Sequence, residues 1–124
     1  MKFLITAGPT REPLDPVRYL SNRSSGKMGY AIAAAALEEE HEVVLVSGPV
    51  AIPPPPGAEL VPVITGEEMF TALSARLADC AAFVMCAAVC DYQPVERAMQ
   101  KVPEPRRPCS PQLAPPRAPP RPPP

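Results

Sequence analysis

This sequence lacks tryptophan, has one histidine and contains only 5% aromatic residues. Its four cysteines form no CxxC pair, and His41 lies far from them along the chain. A metal site or a disulfide framework therefore finds little support. Cys80, Cys86 and Cys90 lie among alanines and valines, where a cysteine usually serves as a small buried hydrophobic residue.

No apolar run approaches the ~20 residues that a membrane span requires. The apolar start, Met1 to Thr6, is too short for a signal peptide and leads directly into glycine and proline. A formal net charge of −1 gives no support to nucleic-acid binding. We therefore expect a cytoplasmic protein with neither a membrane nor a nucleic acid as its partner.

At 124 residues the chain has room for one domain. Proline is concentrated at its end: 11 of the 22 residues from Pro103 onward are proline, against 10 in the preceding 102. Proline offers no backbone N–H and favours an extended, solvated chain. We therefore predict that residues 1–102 form the domain and that residues 103–124 are a disordered tail that takes no part in the fold. An SH3-type ligand is the alternative for this Pro/Arg-rich segment, and disorder is the simpler interpretation.

Apolar runs alternate with helical patterns along the first hundred residues. The pattern predicts strands at residues 2–6, 42–47, 59–64 and 81–89, and helices at residues 28–40 and 65–79. This order is typical of an α/β fold with a Rossmann-like open parallel sheet, and right-handed crossovers predict the strand order 3-2-1-4. Pro62 restricts the third strand to an edge, and Thr65 with Glu68 matches a capping box.

Ligands of open α/β sheets bind outside the carboxyl ends of the strands, where the strand order reverses. The first and fourth strands are neighbours at that point in the predicted order. The loops of residues 7–25 and 88–101 are therefore expected to line one crevice. The first loop is ~20 residues long, whereas such loops usually take about 2–6 residues, and unusual length favours a functional role.

The first loop ends in Ser24, Ser25, Gly26 and Lys27 at the start of the first helix. Small residues at a helix N-terminus leave free N–H groups that suit a phosphate or a carboxylate. Neither the Walker A pattern nor GxGxxG is present. The structural alternative is that Ser24 or Ser25 caps the helix and that Asn22 is a turn residue.

Residues 5–29, ITAGPTREPLDPVRYLSNRSSGKMG, closely resemble the phosphopantothenate–cysteine ligase family of coenzyme A biosynthesis. VLVSGPV at residues 44–50, TGEEM at residues 65–69 and AAVCDY at residues 87–92 agree with it, and the resemblance reaches about residue 101. It implies a ligase that uses CTP to activate the carboxylate of 4′-phosphopantothenate as an acyl-cytidylate. Pyrophosphate leaves in that step, and the amine of cysteine then displaces CMP.

The resemblance also implies residue roles. Asn22 would act catalytically on the acyl-cytidylate, and Lys101 would reach the triphosphate. The nucleotide would be bound by Met85, Cys86, Ala87, Asp91 and Lys101. The phosphorylated substrate would be held by Arg18, with Ser24, Ser25 and Gly26 at the helix start. Asp91 would also help to hold Mg²⁺, no bound FMN is expected in this part, and the family forms homodimers.

The sequence departs from the family pattern at three places. The family commonly has alanine at Cys90, and it has glycine at Glu40, where a left-handed helix end would cost about 1 kcal/mol. A lysine-rich run is expected around Lys101, but the proline-rich segment follows instead. We interpret this abrupt change as a reading-frame slip or an incomplete gene, which would leave an apolar edge on the strand at residues 81–89.

Two other functions remain open. The chain could be a non-catalytic Rossmann-like fragment that still binds a nucleotide. A flavin or nicotinamide domain would fit the sheet order. Against it, GxGxxG is absent, and the second strand ends in Ser47 and not in an acidic residue.

Overall fold

The computed structural model describes residues 1–101 and 113–116. In chain order its elements are β1 (Lys2–Ala7), β2 (Glu12–Pro13), β3 (Tyr19–Leu20), α1 (Lys27–Glu38), β4 (Glu42–Ser47), β5 (Glu59–Pro62), α2 (Gly66–Arg76), a 3₁₀ turn (Leu77–Asp79), β6 (Ala82–Met85), β7 (Gln93–Pro94) and β8 (Leu113–Ala114). Four parallel strands form the main sheet in the order β5-β4-β1-β6. The predicted Rossmann-like sheet and its 3-2-1-4 order are confirmed. None of the described helices is long and apolar enough to cross a membrane.

The two central strands, β1 and β4, are covered on both faces. Because side chains alternate along a strand, Leu4 and Val46 pack on the face of α2, with Leu73. Ile5 and Leu45 pack on the opposite face, which α1 covers. The helices therefore lie on opposite sides of the sheet, as expected of a parallel sheet whose strands read as continuous apolar runs.

The ends of the sheet differ in how well the sequence predicts them. β5 is an edge strand, as Pro62 requires. The fourth strand was predicted to reach residue 89, but β6 ends at Met85. The amides of Cys86 and Ala87 each donate to the hydroxyl oxygen of Thr6, over 3.2 Å. The amide of Cys86 also donates to Thr6 O over 3.1 Å, so the threonine side chain supplements the backbone pairing where the strand ends.

The capping box at α2 is present in altered form. Thr65 Oγ1 accepts the amide of Glu68 over 3.0 Å. In the return bond, the amide of Ile64, one residue before the cap, donates to Glu68 Oε2 over 2.9 Å. Thr65 therefore caps the helix as predicted, while the glutamate fixes the entry of the chain.

The proline-rich segment is described only at residues 113–116, and the rest of the predicted tail lies outside the described residues. Leu113–Ala114 pairs antiparallel with Gln93–Pro94. The expectation that the tail takes no part in the fold is wrong for these residues. Residues 112–114 are the longest proline-free run of the tail, so backbone N–H groups are available for a ladder there.

Helix α1 ends in a Schellman motif built on a glutamate. The amide of Glu40 donates to Leu37 O and that of His41 to Ala36 O, both over 3.0 Å. Glu40 has a φ of 63°, in the left-handed region that glycine adopts without strain. The expected strain at Glu40 is therefore present in the fold.

Replacing Glu40 by glycine should raise the free energy of unfolding by about 1 kcal/mol, because it relieves the left-handed strain. Glu39 has a φ of −85°, so Glu39→Gly is the matched control and should lower the free energy of unfolding by up to about 1 kcal/mol. Urea denaturation of the three proteins measures both effects. A loss of stability in Glu40→Gly would contradict the strain at this position.

Candidate functional site

The chains that leave β1 and β6 remain paired beyond the sheet. Pro9 forms a parallel bridge with Ala88. Ala88 N donates to Gly8 O over 2.9 Å, and Thr10 N donates to Ala88 O over 3.1 Å. The structure therefore brings together the starts of the two loops that were expected to line one crevice.

Two buried threonines hold the backbone that follows β6. The hydroxyl of Thr6 accepts the amides of Cys86 and Ala87. The hydroxyl of Thr10 accepts the amide of Cys90 over 3.1 Å. Both threonines are almost fully inaccessible to solvent. These side chains fix the course of residues 86–90, which include two of the predicted nucleotide-binding residues, Cys86 and Ala87.

A glycine permits the chain after β4 to approach the loop after β1 closely. Gly48, directly after β4, lies against Pro9, and a methyl group on Gly48 would collide with the carbonyl oxygen of Pro9. Its amide donates to Ala7 O over 2.9 Å. Any larger residue here would push the loop after β1 away from its place.

Asn22 links the two loops. Its Nδ2 donates to Ala88 O over 2.8 Å, and its Oδ1 accepts the amide of Ser24 over 3.0 Å. The predicted turn role of Asn22 is therefore confirmed. The side chain is exposed, and an amide with one bond at each atom keeps a second N–H and a second lone pair. Its catalytic role stays a prediction.

Arg18 is oriented by Asp15. Arg18 Nε lies 3.1 Å from Asp15 Oδ2, and the aspartate is 1% exposed while the arginine is 46% exposed. Asp15 Oδ1 also accepts the amides of Val17 and Arg18, over 2.8 and 2.7 Å. A buried carboxylate thus orients the guanidinium of Arg18, which remains partly exposed at the surface.

The N-terminus of α1 begins at Gly26, which has a φ of 79°, and no side chain caps it. The amide of Lys27 donates to Ser25 Oγ over a long 3.4 Å, but Ser25 precedes the cap position, which Gly26 occupies. The interpretation that Ser24 or Ser25 caps the helix is therefore wrong. Gly26 takes the cap position because glycine adopts this left-handed conformation without strain. The phosphate role of Ser24, Ser25 and Gly26 stays a prediction.

A cavity of about 400 Å³ lies between α2 and the chain that follows β6. Its walls are mostly apolar, and Met69, Phe70, Leu73, Met85 and Val89 are among them. Among the predicted nucleotide-binding residues, Met85, Ala87 and Asp91 line it. Cys86 does not, because neighbouring residues of an extended chain point to opposite sides.

The geometry gives less support to the predicted roles of Lys101 at the triphosphate and of Asp91 at Mg²⁺. Lys101 is exposed and ends the first described range, and no described hydrogen bond or ion pair joins it to the cavity. Within residues 1–101 and 113–116, no group of three or more histidine, cysteine, aspartate or glutamate side chains could hold a metal ion. Asp91 would therefore need further ligands from outside the described residues.

Glu12 is a buried carboxylate beside the cavity that sequence reasoning missed. Its exposed fraction is 3%, and its Oε1 accepts the amide of Gly66, the first residue of α2, over 2.8 Å. Burial raises the pKa of Glu12 above its ordinary range, and the hydrogen bonds from Gly66 and Thr10 partly oppose that rise. An acidic residue in an unusually long loop was the only trace of it in the sequence.

The cysteines near the site are half-buried, not fully buried as expected. Cys90 Sγ donates to Thr10 O over 3.5 Å and to Leu20 O over 3.6 Å. Burial raises the pKa of the Cys90 thiol, and burial also raises that of Cys80. Both thiols are therefore poor nucleophiles at neutral pH.

Residues 1–114 match the family model described as DNA/pantothenate metabolism flavoprotein C-terminal domain. The chain belongs to this family. The resemblance inferred from residues 5–29 is thereby confirmed.

Named relatives extend the comparison. The coenzyme A biosynthesis bifunctional protein CoaBC of Escherichia coli K12 is 54% identical over 102 residues, which are 82% of this chain and 25% of that protein. The protein of the same name from Mycobacterium bovis is 43% identical over 102 residues, 82% of this chain and 24% of its own length. The chain thus spans about a quarter of the length of these relatives.

Two solved members of the family share the fold. The crystal structure of the C-terminal domain of CoaBC has a TM-score of 0.75 at 44% identity, covering 82% of this chain and 54% of that one. The DNA/pantothenate metabolism flavoprotein from Streptococcus pneumoniae has a TM-score of 0.73 at 31% identity, covering 77% and 42%.

Glu12→Gln should stabilise this family member at pH 7, and the gain should shrink as the pH falls. The pKa of Glu12 is higher in the folded chain than in the unfolded one, so the folded state binds the proton more tightly and loses stability as the pH rises through that pKa. Glutamine keeps an oxygen for Gly66 without the charge. Melting temperatures from pH 7 down to about pH 4, near the ordinary pKa of a glutamate, measure the effect.

The matched control for this prediction is Glu59→Gln, since Glu59 is exposed on β5. Its melting temperature should follow that of the unmodified chain at each pH. A gain for Glu12→Gln that is equal at pH 7 and pH 4 would show that the buried charge is not its cause.

Proposed function

We propose that this chain carries the nucleotide-binding part of a phosphopantothenate–cysteine ligase, which joins 4′-phosphopantothenate to cysteine at the expense of CTP. The observation that carries the proposal is the cavity at the carboxyl end of β6, where Met85, Ala87 and Asp91 come together. The names of the relatives place those proteins in coenzyme A biosynthesis, which supports the same pathway for this chain.

The cytosine base would enter the apolar cavity. Its volume of about 400 Å³ lies within the range of small-molecule sites, which are mostly apolar with a few polar groups. Asp91 supplies a carboxylate for the amino or hydroxyl groups of the nucleotide. The same carboxylate would hold Mg²⁺ together with phosphate oxygens, because magnesium usually takes one or two carboxylates and the phosphates of its substrate.

The phosphorylated substrate would lie at the start of α1. Asp15 holds Arg18 at the surface, and the uncapped helix N-terminus at Gly26 presents backbone N–H groups. A phosphate is favoured there by the N–H groups and by the helix dipole. Ser24 and Ser25 would add hydroxyl donors beside these amides.

Asn22 would act between the two substrates. In the first step the carboxylate of 4′-phosphopantothenate attacks the α-phosphorus of CTP, and pyrophosphate leaves. In the second step the amine of cysteine attacks the acyl carbon, and the bond to the CMP oxygen breaks. The second N–H of Asn22 would bind the acyl oxygen, whose negative charge grows in that transition state. Lys101 would steady the triphosphate in the first step.

CTP with Mg²⁺ should raise the melting temperature of the chain, and NAD should not. At a CTP concentration of about 100 Kd the gain would be about 2.7 kcal/mol. Asp91→Asn should reduce it, because the substitution removes the carboxylate. Asp79→Asn, at an exposed aspartate of the 3₁₀ turn, is the matched control and should leave the gain unchanged. An equal response to CTP and NAD would exclude a specific nucleotide site.

Asn22→Ala should lower the rate of CTP-dependent ligation by roughly 10²–10³-fold, the usual loss for one donor to a developing oxyanion. Its Kd for CTP should change little, since Asn22 does not line the cavity. Formation of the acyl-cysteine product is the measurement. Loss of CTP binding in parallel with the rate would assign Asn22 a purely structural role as a clamp on Ala88.

A non-catalytic nucleotide-binding module is the second candidate. Two observations favour it: the outer edge of β6 has no partner strand among the described residues, and no described contact joins Lys101 to the cavity. CTP binding without pyrophosphate release would distinguish it from the ligase.

We also expect a cytoplasmic protein without bound FMN. Flavin absorbance in the purified chain would contradict the expectation on FMN. The resemblance implies a homodimer in the family whose pairing surface lies in the family's second half, so we do not expect this chain to form it, and sedimentation would test this.

A further inference from the structure

One residue of the proline-rich segment reaches the cavity. β8 pairs with β7, with Gln93 opposite Ala114 and Pro94 opposite Leu113. Two residues beyond β8, Pro116 lines the cavity. Since β7 follows the lining residue Asp91 by two positions, this pairing anchors residues 113–116 directly beside the cavity.

Pro116 differs from the other residues that line the cavity. Those described come from β1, from α2 or from β6 and the chain that follows it, whereas Pro116 comes from a distant part of the sequence. β6 is also the edge of the described sheet, so no further strand supplies a wall on that side. A proline ring is rigid, and its nitrogen carries no N–H that must find a partner.

We propose that Pro116 forms a wall of the ligand site and contacts the flat apolar part of the ligand. The proposal rests on the proposed nucleotide binding for the identity of that part, a base. About 400 Å³ remain with Pro116 in place, so the segment borders the space and does not fill it. Pro116 lies beyond residues 1–114, which the family model matches, so the family match does not include this residue.

The Kd of CTP with Mg²⁺, measured by calorimetry on the full chain, tests the wall. Pro116→Ala removes the ring, and Ala114→Pro removes an N–H from β8. Both should raise the Kd roughly three- to ten-fold, the effect expected from losing part of one apolar contact. Ala118→Pro places the same substitution beyond Pro116, and its Kd should equal that of the unmodified chain.

If the unmodified chain binds CTP clearly, an unchanged Kd in Pro116→Ala would refute the role of Pro116 as a wall of the site and leave the proposed function intact. Tighter binding in Pro116→Ala would also overturn it, because the segment would then compete with the nucleotide.

If the unmodified chain binds no CTP, the proposed function itself fails. Hydrogen exchange without ligand then still tests the placement of residues 113–116. The backbone of residues 89–93 should exchange several-fold faster in Ala114→Pro than in Ala118→Pro, because Gln93 pairs with Ala114. Equal exchange in the two variants would overturn the placement of the segment and the wall with it.

Discussion

The hydrogen bonds between the chains that leave β1 and β6 determine the shape of the crevice. Thr6 and Thr10 are buried and accept three amides from residues 86–90. The backbone of Thr10 adds a bond to Ala88 O. An amide left unpaired in a buried position costs about 1–3 kcal/mol, so the loss of either hydroxyl would release this part of the chain. The positions of Ala87 and Asp91 depend on these two side chains.

Two buried carboxylates give the long loop after β1 its order. Asp15 accepts the amides of Val17 and Arg18, and Glu12 accepts that of Gly66 at the start of α2. A loop of this length contains many backbone groups that need partners, and an acidic side chain satisfies two or more of them at once. Because Glu12 also connects the loop to α2, it holds one wall of the cavity against the loop. The charge it buries is the cost of that connection.

Local patterns in the sequence predicted most of the fold. Continuous apolar runs located β1 and β4, and Pro62 placed β5 at the edge. The strain at the end of α1 was indicated by the resemblance instead, since the family has glycine at position 40. Features that depend on distant residues were not predictable in this way. Beyond Met85, where β6 ends, the next two amides bond to the hydroxyl of Thr6, about 80 residues earlier. The pairing of Leu113–Ala114 with Gln93–Pro94 likewise has no local pattern beyond three residues without proline.

The candidate site was predictable to a similar degree. The sheet order located the crevice, and the family motif selected Asn22 and Asp91. Glu12 and Asp15 were missed as organising residues, because burial of a carboxylate in a loop depends on tertiary contacts that neither periodicity nor spacing records.

The arrangement of the two helices explains why Asn22 is central to the proposed reaction. Thr6 and the cavity lie on the face of the sheet that α2 covers. Ala7 lies on the opposite face, where Gly29 in the first turn of α1 packs against it. A nucleotide in the cavity and a phosphate at α1 would therefore approach from opposite faces. They would meet only past the carboxyl ends of β1 and β6, and Asn22 is bonded to Ala88 at that point. Its exposed amide is thus the polar side chain that both substrates would reach together.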